Sequence, residues 1–221
     1  MKIFWALIHR DVILGIRASG GAALSAAFFA LIVVLVPFGL GPDMSTLKSA
    51  GPGMFWIAAL LATLLGLERI IQPDTEDGTL DLIRLSSLPL ELVALAKIIA
   101  HWLTSGLIIT VLAPLLAPLL NLSFSAIPVL ALSLLLGTPA LSAIGTAAAA
   151  LGASVQRGGM VLALLALPLN IPFLIFGATA VAKAQNNADP TQALLLLGSF
   201  SLIAIVVGSI AAAASLRLND E

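Results

Sequence analysis

The residues of this chain that could do chemistry are its ionisable side chains, and they are crowded into one segment. Nine of the 21 Asp, Glu, Lys and Arg residues lie between Glu68 and Lys97, and the next 59 residues contain none. Within this segment Asp77, Asp81 and Arg84 are spaced i, i+4 and i+7, so they share one face of a helix. Such a face can form ion pairs with a partner protein, which is a chemistry of docking rather than of catalysis.

Catalytic motifs are absent from the sequence. A P-loop needs Gly-x-x-x-x-Gly-Lys followed by Ser or Thr to cradle phosphate, and none of the four lysines has that context. There is also no His-Glu-x-x-His or Gly-x-Ser-x-Gly motif, and no cysteine that could ligate a metal. We therefore expect this chain to have no enzyme activity, no metal site and no catalytic residue.

The elements that must position the charged segment are membrane-spanning helices. Hydrophobic residues make up 60% of the chain and charged residues only 10%, against about 25% in a soluble domain. Uncharged apolar stretches of about 18 residues or more are typical of membrane spans. The gaps between charges predict an all-α integral membrane protein, with one membrane domain over residues 1–221. Its six transmembrane helices would cover about 20–41, 53–72, 92–120, 127–154, 159–182 and 191–216.

The basic residues predict the orientation of these helices. Residues 1–18 should form an amphipathic helix in the membrane interface, with Trp5 as its anchor and Lys2, Arg10 and Arg17 reaching lipid headgroups. An even number of spans places both termini on one side, and eight of the ten Lys and Arg residues fall there. Because basic residues mark the cytoplasmic side, we expect both termini in the cytoplasm. A net charge of −1 offers no footprint for nucleic acid, so the expected surroundings are the lipid bilayer and protein partners.

The segment of residues 73–90 is the largest predicted element outside the membrane. We expect Pro73 to end the second span, because proline lacks the amide donor that a helix needs. Asp77 or Thr79 would then cap a short helix after a turn at Gly78. Its apolar face, opposite the charges, would comprise Leu80, Leu82 and Ile83. A solvated loop with an interfacial helix is the simpler interpretation, but the crowding of charge favours a docking helix for a soluble partner.

The charged segment also resembles a known pattern. The stretch EDGTLDLIRLSSLPLELVALAKIIA is similar to the region after the second span of ABC-2-type exporter permeases. Five further stretches resemble the haem exporter protein B family, the permease-like subunit of cytochrome c maturation: PGMFWIAALLATLLGLER, LAKIIAHW, LLLGTPALSAIG, QRGG and LPLNIPFLIF. The resemblance covers nearly all residues, in order and with similar spacing.

This resemblance implies a six-span protein of the bacterial inner membrane. It would join an ABC ATPase subunit, a haem-handling membrane subunit and a small single-span subunit. The complex would load haem on a periplasmic chaperone and release it, with ATP and haem bound by the complex and no cofactor bound by this chain. By analogy, the ATPase would contact a coupling helix at Asp74, Glu76, Asp77, Gly78, Thr79, Asp81 and Arg84.

Three charged or titratable positions near the membrane boundary have two interpretations each. His101 lies i, i+4 from Lys97, and its imidazole could ligate haem iron. The simpler interpretation, which we favour, is a hydrogen-bonded or hydrated histidine near the headgroups. Glu68 and Arg69 could pair with each other or with Lys97, or all three charges could link the motion of a partner to the helices.

Small residues and prolines predict how the spans pack. Gly145 and Ala149 belong to a small-x-x-x-small row, which lets helices approach closely within the bundle. A second interpretation of the same row is a seam between two copies of the chain. Pro168 and Pro172 are predicted to kink the fifth span, where freed carbonyls need other donors.

The leading hypothesis for function is a permease-like subunit whose short helix transmits the ATP-driven movement of a partner. A stand-alone secondary transporter is disfavoured, because no Asp or Glu lies in the middle of a predicted span. A passive assembly scaffold would use the same docking helix, and the sequence alone does not separate it from the leading hypothesis.

Overall fold

The computed structural model describes residues 1–17, 21–41, 43–152 and 158–218, and over these ranges the chain is helical, without any strand. The side chains of Glu68, Arg69, Glu76, Asp81, Arg84, residues 158–165 and Leu218 lie outside this description. The helices are α1 (Lys2–Arg17), α2 (Gly21–Leu40), α3 (Met44–Leu64), α4 (Glu68–Glu76), α5 (Thr79–Arg84), α6 (Leu90–His101), α7 (Leu107–Leu116), α8 (Ala126–Gly152), α9 (Gly158–Gln185) and α10 (Thr191–Leu218).

Six helical stretches of the described chain are long and apolar enough to cross a membrane. They are Ala22–Leu40, Met44–Leu64, Leu90–Leu120, Ala126–Gly152, Ala166–Gln185 and Thr191–Arg217. The third of them joins α6 and α7 through a π-helical turn at Trp102–Gly106 and ends in a 3-10 turn at Ala117–Leu120. The predicted class, an all-helical membrane protein with six spans, is confirmed.

The second span begins earlier than its predicted position of about 53–72. Helix α3 starts at Met44, because the carboxylate of Asp43 accepts a hydrogen bond from the Thr46 amide at 2.9 Å and caps the helix. The prediction took the charge of Lys48 as a boundary. A single charge near the end of a helix does not stop it when the first turn is capped.

The same span also ends differently, and Pro73 does not end it. Helix α3 stops before a turn at residues 65–67, and Pro73 lies inside the separate helix α4. A proline removes one amide donor from a helix but keeps its carbonyl acceptor. Here the Pro73 carbonyl accepts the amide of Asp77 at 3.0 Å, so α4 continues to the end of that turn.

The centre of the bundle is α8, which packs mainly against α9 and α10. Trp56 of α3 is fully buried and fits between Gly137 of α8 and Gly177 of α9. A Cβ atom on Gly137 would lie 2.4 Å from the indole ring, and one on Gly177 would lie 2.0 Å from it. The indole N–H donates to Ser133 Oγ at 3.3 Å. Small residues on two spans therefore make the space that the largest core side chain occupies.

The predicted small-residue row on α8 has neighbours from within the chain. A Cβ atom on Gly145 would lie 2.2 Å from Cδ2 of Leu67, a buried residue of the turn before α4. Ala149, one turn later, is buried in the same cluster. On α10, a Cβ atom on Gly208 would lie 2.9 Å from the carbonyl oxygen of Ala143. Packing inside one bundle thus uses these positions, and the seam between two copies stays a prediction.

Helix α9 continues through both of its prolines. Pro168 and Pro172 are exposed, while Asn170 between them is fully buried. The side-chain amide of Asn170 donates to the carbonyl of Ala166 at 2.8 Å. A side chain of the same helix therefore supplies a hydrogen bond to a backbone carbonyl in the turn before Pro168 and Pro172. The predicted kink of the span stays a prediction.

The connections at the end of the bundle opposite α5 are joined by one buried side chain. Gln185 donates from Nε2 to the carbonyls of Lys48 (3.2 Å) and Asn121 (3.3 Å). Its Oε1 accepts the amide of Ser123 at 2.7 Å. Three segments that are far apart in sequence are therefore held together at this end of the bundle.

Candidate functional site

Helix α5 is a short capped helix in the segment that the sequence singled out. Gly78 has a φ of 73°, a left-handed conformation that glycine adopts without steric cost. Asp77 Oδ1 accepts the amide of Thr79 at 2.9 Å, which caps the first turn. Hydrogen bonds from Thr79 to the Asp77 carboxylate lower the pKa of Asp77 below its usual value. The predicted turn and cap are therefore formed by Asp77, Gly78 and Thr79.

Two leucines of this segment point away from the protein. Leu82 is 70% exposed and Leu85 is 85% exposed, whereas Leu80 is buried against the cluster that contains Leu67. Ile83 is half-buried against the start of the third span. The predicted apolar face is thus divided, with Leu80 and Ile83 holding α5 on the bundle and Leu82 left outside. Leu85, which breaks the pattern in sequence, belongs to this exposed pair.

Asp74 does not belong to the partner-facing set in which the sequence placed it. It is only 5% exposed, and its carboxylate lies inside the protein. Arg10 Nη2 donates to Asp74 Oδ1 at 2.9 Å and to Oδ2 at 2.8 Å. Lys97 Nζ also donates to Asp74 Oδ2. The physical reason for the correction is that a buried carboxylate is retained only with such partners, and both partners are distant in sequence.

Lys97 of the third span is buried among three acceptors. It is 2% exposed, and its ammonium contacts Asp74 Oδ2, the Ile70 carbonyl (2.9 Å) and Asp11 Oδ2 (3.4 Å). An ammonium has three N–H donors, so all of them have an acceptor here. The predicted pairing of Lys97 with Glu68 is not tested, because the Glu68 side chain lies outside the described residues.

These four ionised residues form one network across three elements, which we call the buried charge network: Arg10, Asp11, Asp74 and Lys97. Arg10 and Asp11 belong to α1, Asp74 to α4 and Lys97 to α6. The formal charges of its two cations and two anions sum to zero. Leu7 and Ile8 of α1 pack against the same stretch of α6. The N-terminal helix, the helix before α5 and the third span are thereby connected.

Sequence reasoning missed the role of α1 in this network. It assigned Arg10 to lipid headgroups and gave Asp11 no role. A signal was present, because Asp11 is the one acid in a helix whose other charges are basic. An acid next to anionic headgroups is unfavourable, so a protein partner for it could have been expected.

His101 is buried near the same end of the bundle. It is 7% exposed, and its Nδ1 lies 2.9 Å from Ser142 Oγ of α8. Among the described residues no group of three or more His, Asp, Glu or Cys side chains is placed to hold a metal ion. A protein ligand set around His101 is therefore not formed by the described part of this chain.

For the remaining predicted site residues the structure describes the backbone alone. Glu76, Asp81 and Arg84 lie in α4 and α5, and Glu68 and Arg69 open α4, but their side chains lie outside the described part of the structure. Their charge roles stay predictions.

Sequence comparisons agree with this architecture. The family described as CcmB protein matches residues 2–219. The chain is 48% identical over 214 residues to Heme exporter protein B of Paracoccus denitrificans, covering 97% of this chain and 98% of the relative. It is 43% identical over 218 residues to Heme exporter protein B of Pseudomonas aeruginosa, covering 99% and 98%. For the protein of that name from Escherichia coli K12, identity is 38% over 219 residues, covering 99% and 100%. The chain therefore belongs to the CcmB family and is a membrane subunit of the haem export system.

Proposed function

We propose that this chain is the permease-like subunit of an ABC-type complex for cytochrome c maturation. It would couple ATP hydrolysis by a partner subunit to the delivery of haem to its chaperone and the release of that chaperone. The observation that carries this proposal is the buried charge network, which connects α4, the helix directly before α5, to the third span. The lack of a P-loop in the sequence means that the ATP must be hydrolysed by another chain.

Contact with the ATPase is assigned to α5 and its cap. Leu82 and Leu85 offer apolar side chains that a groove on the partner would bury, and exposed apolar side chains of this kind mark protein interaction sites. The charged residues Glu76, Asp77, Asp81 and Arg84 surround them in sequence and would form the polar rim of that interface. Glu68 and Arg69 are candidates for additional coupling charges at the start of α4.

Movement of α5 would pass to the spans through α4. Only Asp77 and Gly78 separate the two helices, so a displacement of α5 would be transmitted to α4 through a very short connection. Asp74 on α4 is tied to Lys97 and Arg10, and removing one member of a buried ion pair costs about 3–5 kcal/mol. The third span and α1 would therefore move with α4 rather than separate from it.

The proposed membrane and partners are those that membership of this family suggests. We propose the bacterial inner membrane, with the end that carries α5 and both termini in the cytoplasm, because eight of ten basic residues fall on that side. The proposed partners are the ATPase, a haem-handling membrane subunit, a small single-span subunit, the periplasmic haem chaperone and a second copy of this chain. ATP and haem would be bound by the complex, and this chain would be no enzyme.

The docking role is tested by co-purification from the native membrane in a mild detergent. The native chain should bring down an ATPase, and the double variant Leu82→Ser, Leu85→Ser should lose it while remaining inserted. Phe124→Ser is the matched control, since Phe124 is 93% exposed in the connection at the opposite end. No ATPase with the native chain, or equal recovery from the double variant, would contradict the proposal.

The two alternative functions predict different results for the same co-purified protein. A stand-alone secondary transporter would move its substrate without any ATPase. Its ionisable binding groups should lie near the midplane, whereas Asp74 and Lys97 lie at the end of the bundle that carries α5. A passive scaffold would retain the ATPase but show no movement of the Gly78 region when nucleotide binds.

A further inference from the structure

A cavity of about 360 Å³ lies beside the buried charge network. It is bounded by α1, α2, the turn before α4, α4 itself and the third span. Its wall is mostly small or apolar: Leu14, Gly15, Ala22, Ile70, Pro73 and Ala100. Leu14 is half exposed, so the cavity reaches the outer surface of the bundle at α1. A space of this size and lining suits a small membrane-soluble molecule.

Two buried polar side chains on this wall have hydrogen-bonding capacity to spare. His101 and Ser105 both line the cavity, and neither His101 Nε2 nor Ser105 Oγ makes a hydrogen bond of good geometry to a described residue, although the Thr63 backbone lies next to the imidazole. The ring of His101 is held in place by Ser142 Oγ, 2.9 Å from Nδ1. Buried polar groups are nearly always hydrogen-bonded, and leaving one unpaired is costly. Spare hydrogen-bonding capacity at two positions on one cavity wall suits a ligand with a polar group.

The third span is shaped so that both atoms meet the cavity. The π-helical turn Trp102–Gly106 begins directly after His101, and such turns are frequent at functional sites. Trp102 Nε1 donates to Thr138 Oγ1 at 3.1 Å, which fixes this turn on α8. Thr104 also lines the cavity, but its hydroxyl already donates to the Ala100 carbonyl at 2.9 Å. Ser105 is thus the hydroxyl of the turn that remains free for a ligand.

The charges beside the cavity favour a neutral ligand. Lys97 is the cation among the described lining residues, and its three donors already have acceptors in Asp74, Ile70 and Asp11. An anionic headgroup would have to displace one of these contacts and would meet two carboxylates. A neutral molecule meets neither obstacle.

We propose that this cavity binds one neutral, largely apolar molecule from the membrane, whose hydroxyl or carbonyl oxygen bonds to His101 Nε2 and Ser105 Oγ. A hydroxyl can donate or accept, so it suits either tautomer of the imidazole. The ring carbonyl of a membrane quinone and the hydroxyl of a long-chain alcohol share this chemistry. No residue of α5 lines this cavity, although Asp11, Asp74 and Lys97 of the buried charge network do.

Gly66 keeps open the space that the oxygen would occupy. A Cβ atom on Gly66 would lie 3.4 Å from His101 Nε2 and 3.6 Å from Ser25 Oγ, which is ordinary van der Waals contact. Gly66→Ala should therefore fold normally while placing a methyl group against the ring nitrogen. Gly53→Ala is the matched control, because a Cβ atom there meets nothing within 4 Å.

The test uses the full chain in lipid nanodiscs with ¹⁵N-labelled histidine. The chain has two histidines, so His9→Gln leaves His101 as the single imidazole signal. Decylubiquinone is the probe with a carbonyl oxygen, and 1-decanol is the probe with a hydroxyl. Decane, which has no oxygen, is the control. We expect one or both probes to shift the Nε2 resonance, and we expect decane to leave it unchanged.

The variants then decide whether the shift reports this site. Gly66→Ala should abolish the shift, Gly53→Ala should keep it, and Ser105→Ala should weaken probe binding about five- to tenfold. Thermal unfolding of each variant checks that the bundle is intact. The proposal is overturned if neither probe moves the resonance, if decane moves it equally, or if Gly66→Ala leaves the shift intact. If added haem gave a Soret band that His101→Ala removed, the proposal of a neutral ligand would be overturned as well.

Discussion

Lys97 of the third span donates a hydrogen bond to the carboxylate of Asp74, a residue 23 positions earlier on a different helix. Both side chains are buried, and Arg10 of the N-terminal helix holds the other side of the same carboxylate. This pair fixes the helix before α5 to a membrane span. In the proposed function, this pair would give a partner docked on α5 a firm connection to the transmembrane region, which a solvated loop would lack.

The stability of the protein should depend on this pair. Lys97→Met leaves the Asp74 carboxylate with Arg10 alone, and we expect it to lower the free energy of unfolding by about 3 kcal/mol, measured by denaturant unfolding in mixed micelles. Adding Asp74→Leu to the same chain should recover part of the loss, because no unpaired carboxylate remains. Arg217→Ala, which breaks the exposed pair with Glu91, is the control and should cost less than about 1 kcal/mol. Equal losses from the two single variants would contradict the role of the network.

The cap of α5 should respond to acid. The hydrogen bonds from Thr79 lower the pKa of Asp77 from its usual 3.8. The stability that the ionised carboxylate adds to the cap is therefore fully present above pH 3.8, and it is lost as the pH falls through the lowered pKa. At neutral pH, Asp77→Ala should raise amide hydrogen exchange at residues 79–81 roughly fivefold, whereas Asp77→Asn keeps an acceptor and should change it little. Exchange in Asp77→Ala that matches the native chain would show that the cap is not needed.

Close packing around Trp56 should make Gly177 intolerant of substitution. Gly177→Ala would place a methyl group 2.0 Å from the indole of Trp56, which is fully buried and is also in close contact with Gly137. We expect a loss of about 1–3 kcal/mol in the free energy of unfolding, or failure to accumulate in the membrane. The control is Gly198→Ala, whose new methyl group meets only Leu136 at 3.9 Å. Since alanine favours helices over glycine, this control should be neutral or slightly stabilising. Equal behaviour of the two variants would refute the packing argument.

Nucleotide should move α5 relative to the far end of the bundle. The chain has no cysteine, so Ser87→Cys and Phe124→Cys together give two spin-label sites on exposed residues, and Ser87 follows α5 without being one of the two docking leucines. In the assembled complex, we expect the distance between the labels to change when ATP binds, measured by pulsed electron spin resonance. Lys97→Met in the same background should broaden or reduce the change, because the connection to the third span is weakened. Identical distances with and without ATP would favour the passive scaffold.

Much of this architecture is determined by local properties of the sequence. Six spans follow from the spacing of charges, because a lipid-facing surface excludes them whatever the tertiary arrangement. The turn and cap at Asp77, Gly78 and Thr79 also follow from residue type, since the hydrogen bond of the cap spans only two positions. Family membership was likewise readable from motifs spread along the whole chain.

Only the tertiary structure decided which charges are buried and which side chains are free. Asp74 and Asp77 are three residues apart and equally acidic, yet one is enclosed by Arg10 and Lys97 while the other is exposed. The difference depends on partners 64 and 23 positions away, which no local pattern specifies. The same holds for Leu82, whose exposure depends on how α5 rests on the bundle, and for His101 and Ser105, whose cavity is formed by helices distant in sequence.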